Sequence, residues 1–294
     1  MRILYLHHNY HFSSYSMMRS FSEELARRYE VTVLHAEKAG AFNALDYDIV
    51  ISAGFKTVIP NRARYKVVIG LADPPRFQKW RLETADLYAT GSREIVHEFP
   101  DKAIYLPPCT DANYFQPMNL PRKFDCAMVG LGVHPRIKYR IQLVNALRKA
   151  GLRVLTAGSD WPKHRDNWGF CTGPGLVKAF CVARFSLDIT LKRNSLCSRI
   201  FQAASCGTPT ITLDREDTKL LFEPQKEILF YRGEETGLAL NDVVNHVRNA
   251  DWSSIGKRAK ARTLRDHDIV SRVDTLMAAL EQRGVACTPQ KTRS

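Results

Sequence analysis

Ser195–Leu213, SLCSRIFQAASCGTPTITL, reads as a polar loop, a short helix, a small-residue hinge and a buried strand. Ser195 and Ser198 have N-cap chemistry, and Ile200, Phe201, Ala203 and Ala204 predict a helix with a broad apolar face. Cys206-Gly207-Thr208-Pro209 then ends it: Gly207 suits the residue just past a helix, Pro209 cannot continue one, and Thr210–Leu213 is β-branched enough for a central strand. A helix that begins just after a strand end offers unpaired backbone N–H groups and a positive dipole end, which suit a phosphate. Arg199 adds a cation in the first turn, where the dipole alone would favour an acid, and so points to an anion there.

The run Arg199-Ile200-Phe201-Gln202-Ala203-Ala204-Ser205-Cys206-Gly207-Thr208-Pro209 is followed by Leu221-Phe222-Glu223-Pro224-Gln225-Lys226-Glu227-Ile228-Leu229-Phe230-Tyr231. Together they resemble the donor-binding signature of GT-B glycosyltransferases, in particular the family 4-like and spore-maturation-protein (CgeB-like) group, whose pattern is R-x-F-E-A-x-A-C-G-x-P, then a strand and an F-E-P-containing loop. Gln202 stands where that group places a glutamate, and Asn194 where many of its members have another, eight residues earlier. In the family such a carboxylate holds the donor ribose hydroxyls. An amide accepts and donates hydrogen bonds, so Gln202 and Asn194 remain donor-binding candidates while the identity of the donor stays open.

Working outward, 294 residues suffice for two domains, and 45% hydrophobic with 25% charged residues is a soluble globular profile. No apolar run approaches the roughly 18 residues of a membrane span. Met1–Leu6 is too short for a signal peptide and reads as a first strand. The seven cysteines are scattered and form no C-x-x-C pair, so neither a disulfide framework nor a zinc site is expected, and a cytoplasmic location is.

The net charge of +13 is uneven. Residues 1–119 carry 14 basic and 13 acidic side chains, whereas residues 120–193 carry 14 and 4, a net of +10. Such an excess keeps a protein soluble, and it also attracts a polyanionic partner such as nucleic acid or anionic lipid.

Strands and helices alternate through the first half. Strands are predicted at Ile3–His8, Val31–His35, Tyr47–Ser52, Lys66–Leu71, Asp86–Thr90 and Ala103–Leu106, with an amphipathic helix over Tyr15–Tyr29. That alternation means a parallel, doubly wound sheet with its functional loops at strand C-termini. A linker near Asp111–Lys123 precedes a second such run, with strands at Phe124–Val129, Leu152–Ala157, Phe185–Leu191 and Thr210–Leu213. The expected fold class is α/β of GT-B type: two Rossmann-like doubly wound domains facing a cleft, with a C-terminal helix, Ile269–Gln282, crossing back. The expected division is an acceptor domain over residues 1–119, a nucleotide-sugar donor domain over 120–283 and a frayed tail over 284–294.

Gly130-Leu131-Gly132-Val133-His134-Pro135-Arg136 follows a strand, and glycines there let a phosphate or sugar approach the backbone; without the third glycine of G-x-G-x-x-G, a dinucleotide reading is weak. In the enzymes it resembles, such a run lies beside the donor diphosphate, which implies donor binding by Gly130, Gly132 and Arg136. Lys192 and Arg193 close a buried strand, and Lys192 joins Ser198 and Arg199 as a candidate for the leaving diphosphate, handled by cations and helix ends rather than by a metal. Asp46-Tyr47-Asp48 matches D-x-D but starts a strand, the wrong end of a parallel sheet for a ligand, and His267 between two aspartates reads as a cap. No metal and no cofactor are expected.

Asp73, in Ala72-Asp73-Pro74-Pro75 after the fourth strand, is the leading candidate for a general base toward an acceptor hydroxyl; the competing role is a helix cap before Pro74. His8, at the end of the first strand, is the second catalytic candidate. Lys138, Arg140, Lys163 and Arg165 follow successive strands and are expected to form a cationic rim for an acceptor or nucleic acid. The whole reads as a metal-independent glycosyltransferase taking a sugar from a nucleotide diphosphate, UDP by resemblance. The leading acceptor is a hydroxymethylated DNA base, as in phage-type DNA-modifying glycosyltransferases; a glycolipid at an anionic membrane surface, a polysaccharide or a protein are alternatives. A non-catalytic nucleic-acid-binding protein of this fold and a sugar-nucleotide epimerase are the rival readings.

Overall fold

In a computed structural model, residues 1–7, 15–54, 59–60, 62–70, 75–132, 138–189, 196–233 and 236–289 are described. Six strands form the first sheet: Arg2–His7 (β1), Glu30–His35 (β2), Ile49–Ala53 (β3), Lys66–Gly70 (β4), Leu87–Thr90 (β5) and Ala103–Tyr105 (β6). All pair in parallel in the order β2-β1-β3-β4-β5-β6. Because side chains alternate along a strand, the apolar runs cover both faces. Ile3, Tyr5, Ile49, Ile51, Val67 and Ile69 face one core, Leu4, Leu6, Val50 and Val68 the other. Met17–Ala26 (α1) supplies Phe21 and Leu25 to the first, while Pro75–Thr84 (α2) and Arg93–Glu98 (α3) supply Leu82 and Ile95 to the second.

The second sheet comprises Phe124–Val129 (β7), Val154–Ala157 (β8), Ala183–Asp188 (β9), Thr210–Leu213 (β10) and Leu229–Tyr231 (β11), in the parallel order β11-β10-β9-β7-β8. Its helices are Lys138–Lys149 (α4), Pro174–Cys181 (α5), Ser198–Ser205 (α6), Glu216–Leu221 (α7), Thr236–Asn249 (α8) and Trp252–Asp266 (α9). Leu143, Val144 and Leu147 of α4 and Val243 and Val247 of α8 cover one face with Cys126, Phe185, Ile211 and Leu229. Strand β11 is absent from the sequence expectation: a three-residue edge strand lies inside the sequence motif after α7 and has too few residues to show a period.

Two compact units result, Met1–Cys109 with Ile269–Ser294, and Thr110–Asp268. The expected boundary at 119/120 moves upstream, because the Thr110 amide donates to the His267 carbonyl at 3.2 Å and the Ala112 amide to Asp268 Oδ1 at 3.1 Å, tying the connector to the end of α9. Ile269–Glu281 (α10) crosses back as expected and belongs to the first unit, although the expected bounds counted it within 120–283; there Val273, Leu276, Met277 and Leu280 complete the core beside α1. Residues 284–289 are not frayed: Val285 and Cys287 pack on that core, and the Tyr29 hydroxyl donates to the Cys287 carbonyl at 3.4 Å. Residues 290–294 lie outside the described residues.

Candidate functional site

In an open parallel sheet, ligands bind beyond the strand C-termini where the winding reverses. In the second unit that point lies between β7 and β9, since β8 extends the sheet on one side of β7 and β9 and β10 on the other. Gly130 follows β7 with φ +137°, a conformation that favours glycine, and its amide donates to the Ala157 carbonyl at 2.8 Å. Gly158 follows β8 with φ +136°, and a Cβ there would fall well inside contact with the Gly130 carbonyl oxygen. The Trp161 indole N–H donates to that same oxygen at 2.7 Å. The two turns thus lie backbone against backbone.

Gly132 has a different reason to be glycine than the one expected. A Cβ on it would sit 2.5 Å from the Asp160 carbonyl oxygen, and its amide donates to the Ser159 carbonyl at 2.8 Å, so close approach at this position is by the chain itself. Gly130 by contrast looks onto cations: an added Cβ would lie 3.3 Å from Arg199 Cζ and 3.5 Å from Arg140 Nη1.

Helix α6 brings Arg199 to that place. Its N-cap is Cys197, not Ser195 or Ser198, and it carries no side-chain cap hydrogen bond; Ser198 is the first helical residue. Arg199 Nη1 lies 2.9 Å from Cys197 Sγ. The Cys197 sulfur is the chief influence holding the Arg199 guanidinium above its ordinary pKa, opposed by burial and aided by Asp188. Gln202, one turn on, is buried.

Arg140, expected on an exposed rim, is corrected by the structure: it is 6% exposed, and its guanidinium donates to the carbonyls of Leu131 and Ile189. Burial, then the neighbouring Arg199 charge, depress its pKa to about 10. Asp188, at the end of β9, accepts from Thr212 Oγ1 at 2.9 Å and from Arg215 Nη2 at 3.1 Å. Three guanidiniums, Arg140, Arg199 and Arg215, therefore gather about one described carboxylate. Like charges held in a low-dielectric setting repel, and an anion between them lowers that cost while satisfying charge-assisted hydrogen bonds. Asp188, Arg215, Cys197 and Trp161 escape sequence reasoning; Asp188 and Arg215 sit at or just past strand C-termini, which is the signal that could have found them.

Lys163 and Arg165 are exposed in the segment between β8 and α5, and Lys138 opens α4. The remaining candidates, His8, Asp73, Arg136, Lys192 and Asn194, lie outside the described residues. Asp48 of the D-x-D run accepts from the Arg2 amide at 2.7 Å and so fixes the start of β1. His267 is a cap, closing the C-terminus of α9 rather than opening a helix, and it is buried: its Nε2 lies 2.8 Å from the Leu221 carbonyl and its ring packs on Phe201 and Phe222. No group of three or more metal-ligating side chains occurs among the described residues. None of their helices is long and apolar enough to cross a membrane.

Residues 140–278 match the glycosyl transferase-like family, from the buried Arg140 through α6 into α10. No curated protein matches the sequence. Among solved structures, sucrose-phosphate synthase from Thermosynechococcus elongatus superposes with a TM-score of 0.74 at 13% identity, covering 97% of this chain and 99% of that one. AviGT4, a glycosyltransferase involved in avilamycin A biosynthesis, gives 0.73 at 12% identity over 99% and 100% of the two chains. HepE of Anabaena in complex with UDP and glucose gives 0.69 at 12% identity over 96% and 100%. Two parallel sheets flanked by helices, superposing over nearly the whole of each chain, show that this chain has the GT-B fold, and its residues 140–278, which include Arg140, Arg199 and Arg215, are similar to the glycosyl transferase-like family.

Proposed function

We propose that this protein transfers a sugar from a nucleotide diphosphate, UDP-linked, to an acceptor hydroxyl, without metal or cofactor and in the cytoplasm. The observation that carries the reading is the grouping of Arg140, Arg199 and Arg215 about Asp188, beside the Gly130 turn and the side-chain-uncapped start of α6. Arg199 would take the diphosphate, with the α6 N–H groups donating to its oxygens as negative charge develops on the leaving group. Arg140, its guanidinium anchored on two carbonyls, would hold the Gly130 turn open and add field rather than direct contact. Arg136, Lys192, Asn194 and Gln202 would complete the donor site, and Asp73, assisted by His8, would remove the acceptor proton. HepE, solved with UDP and with UDP-glucose, supports the choice of UDP. Calorimetry in EDTA with UDP, GDP and their sugars tests it: binding to none of them, or binding that needs a divalent metal, overturns the reading.

For the acceptor we propose a hydroxyl on a polyanion, a hydroxymethylated DNA base first and a glycolipid at an anionic membrane second. Support comes from the net charge of +13 and from the exposed Lys163 and Arg165. Product analysis with UDP-sugars, with and without a hydroxymethylated duplex, separates transfer to DNA from transfer elsewhere. It also separates both from epimerisation and from binding without turnover.

A further inference from the structure

Cys181, the last residue of α5, and Cys206, the C-cap of α6, are both fully buried, and the two helix ends meet there: Thr208 Oγ1, two residues past Cys206, donates to the Phe180 carbonyl at 2.9 Å, and each thiol perturbs the other. Nothing in the proposed transfer uses them. Their cover is thin. The Met118 amide donates to Cys181 Sγ at 3.3 Å, and Cys181 Sγ lies 3.8 Å from the Gln116 carbonyl, so a stretch without helix or strand lies directly over the sulfur. Gln116, Pro117, Met118 and Asn119 are themselves exposed. Local opening of such a segment costs far less than unfolding and would admit a small reagent to Cys181. On the inner side, Arg122 donates to the Phe180 and Ala183 carbonyls at 2.9 and 2.6 Å, which fixes a cation beside both sulfurs.

We infer that Cys181 and Cys206 are a redox-active thiol pair, converted to a disulfide by peroxide or by a small disulfide when the Gln116–Asn119 segment opens. The two sulfurs are not equivalent. The hydrogen bond from Cys206 lowers the Cys181 thiol, against the effect of burial, and the Met118 amide and Arg122 add to the lowering, to about 6; Cys206, as donor to that sulfur and buried, is pushed up. Thiolate is the attacking species in exchange and oxidation, so Cys181 is the nucleophile and Cys206 the resolving thiol. With hydrogen peroxide, the Cys181 thiolate attacks one oxygen, the O–O bond breaks, and the hydroxide released takes a proton to leave as water. The Cys206 sulfur, giving up its proton, then displaces the hydroxyl of the Cys181 sulfenic acid as a second water. Two thiols lose two electrons and peroxide is reduced to two waters. The bond would link the C-terminal ends of α5 and α6, the helix whose other end carries Arg199.

The test oxidises the native full-length protein with hydrogen peroxide, alkylates the remaining thiols and maps tryptic peptides without reduction. The expected product has lost two of its seven thiols and links Ala179–Arg184 to Ile200–Arg215, with Cys126, equally buried but within β7, still alkylated. Oxidised glutathione should leave an adduct on Cys181 in C206S and none on Cys206 in C181S. A different cysteine pair, oxidation of Cys171 or Cys197 with the pair still fully reduced, or loss of two thiols persisting in C181S each overturns the inference. The peptide map of the unsubstituted protein decides the matter even if a variant fails to fold.

Discussion

Replacing Arg199 by Met is the perturbation that bears most directly on the guanidinium cluster. Methionine keeps an unbranched apolar stem in the first turn of α6 but removes the charge that lies beside Cys197 and Gly130. A hydrogen bond to a charged partner contributes about 1.5–3 kcal/mol, so removing one Arg199–diphosphate hydrogen bond should weaken UDP binding by roughly 10- to 150-fold. Stability of the free protein should change much less, because the same substitution removes the Arg199 charge that disfavours the cation on Arg140. Calorimetry in EDTA measures the affinity, and thermal unfolding without nucleotide measures the fold. Raising the salt should weaken the parent protein's binding more than the variant's, since the variant has one fewer ion pair to screen. If R199M melts like the parent and binds UDP equally well at low salt, the cluster is not the diphosphate site and the proposed donor chemistry falls with it.

Gly158→Ala should destabilise the second unit by about 2–4 kcal/mol, because the added Cβ meets the Gly130 carbonyl and φ is +136°; a chemical denaturation midpoint unchanged from the parent would contradict that close approach. Asp73→Asn should lower turnover by roughly 10²- to 10⁴-fold with UDP affinity nearly unchanged, and a variant that turns over normally would return Asp73 to a capping role. Deleting residues 269–294 removes Val273, Leu276, Met277 and Leu280 from the first core, each worth about 1.5–3 kcal/mol, or about 6–12 kcal/mol together, comparable to a domain's whole stability; limited proteolysis should digest the first unit while residues 110–268 resist, and equal resistance of both would show that α10 is dispensable. Lys163→Ser with Arg165→Ser should reduce the log–log salt slope of duplex binding by about 0.9 for each phosphate these side chains neutralise, and an unchanged slope would remove the two from any nucleic-acid rim.

Local order is legible from the residues alone. The β1 to β10 runs are apolar and β-branched between turn residues, so their existence and parallel winding follow from composition and alternation. Gly207 and Pro209 stop α6 where they stand in the sequence, since one permits φ +71° and the other bars helix continuation. Arg199 stands out in the sequence as a candidate anion ligand because it contradicts the dipole preference of a helix start. Arg140 is misplaced by sequence for the opposite reason: basic residues clustered near a loop look alike there, and only packing determines which guanidinium turns inward to carbonyls.

The sequence by itself determined strands β1 to β10, the repeated α/β plan and a short α6 with Arg199 in its first turn, because each depends on neighbours within a few turns or on side-chain periodicity. Tertiary structure alone decided that Asp188, Arg215 and Arg140 gather with Arg199 at the strand ends, and that Cys181 and Cys206 touch. No local preference encodes these meetings: parallel strands must return through crossovers, which bring strand C-termini to one edge of a sheet and the ends of successive crossover helices to the other.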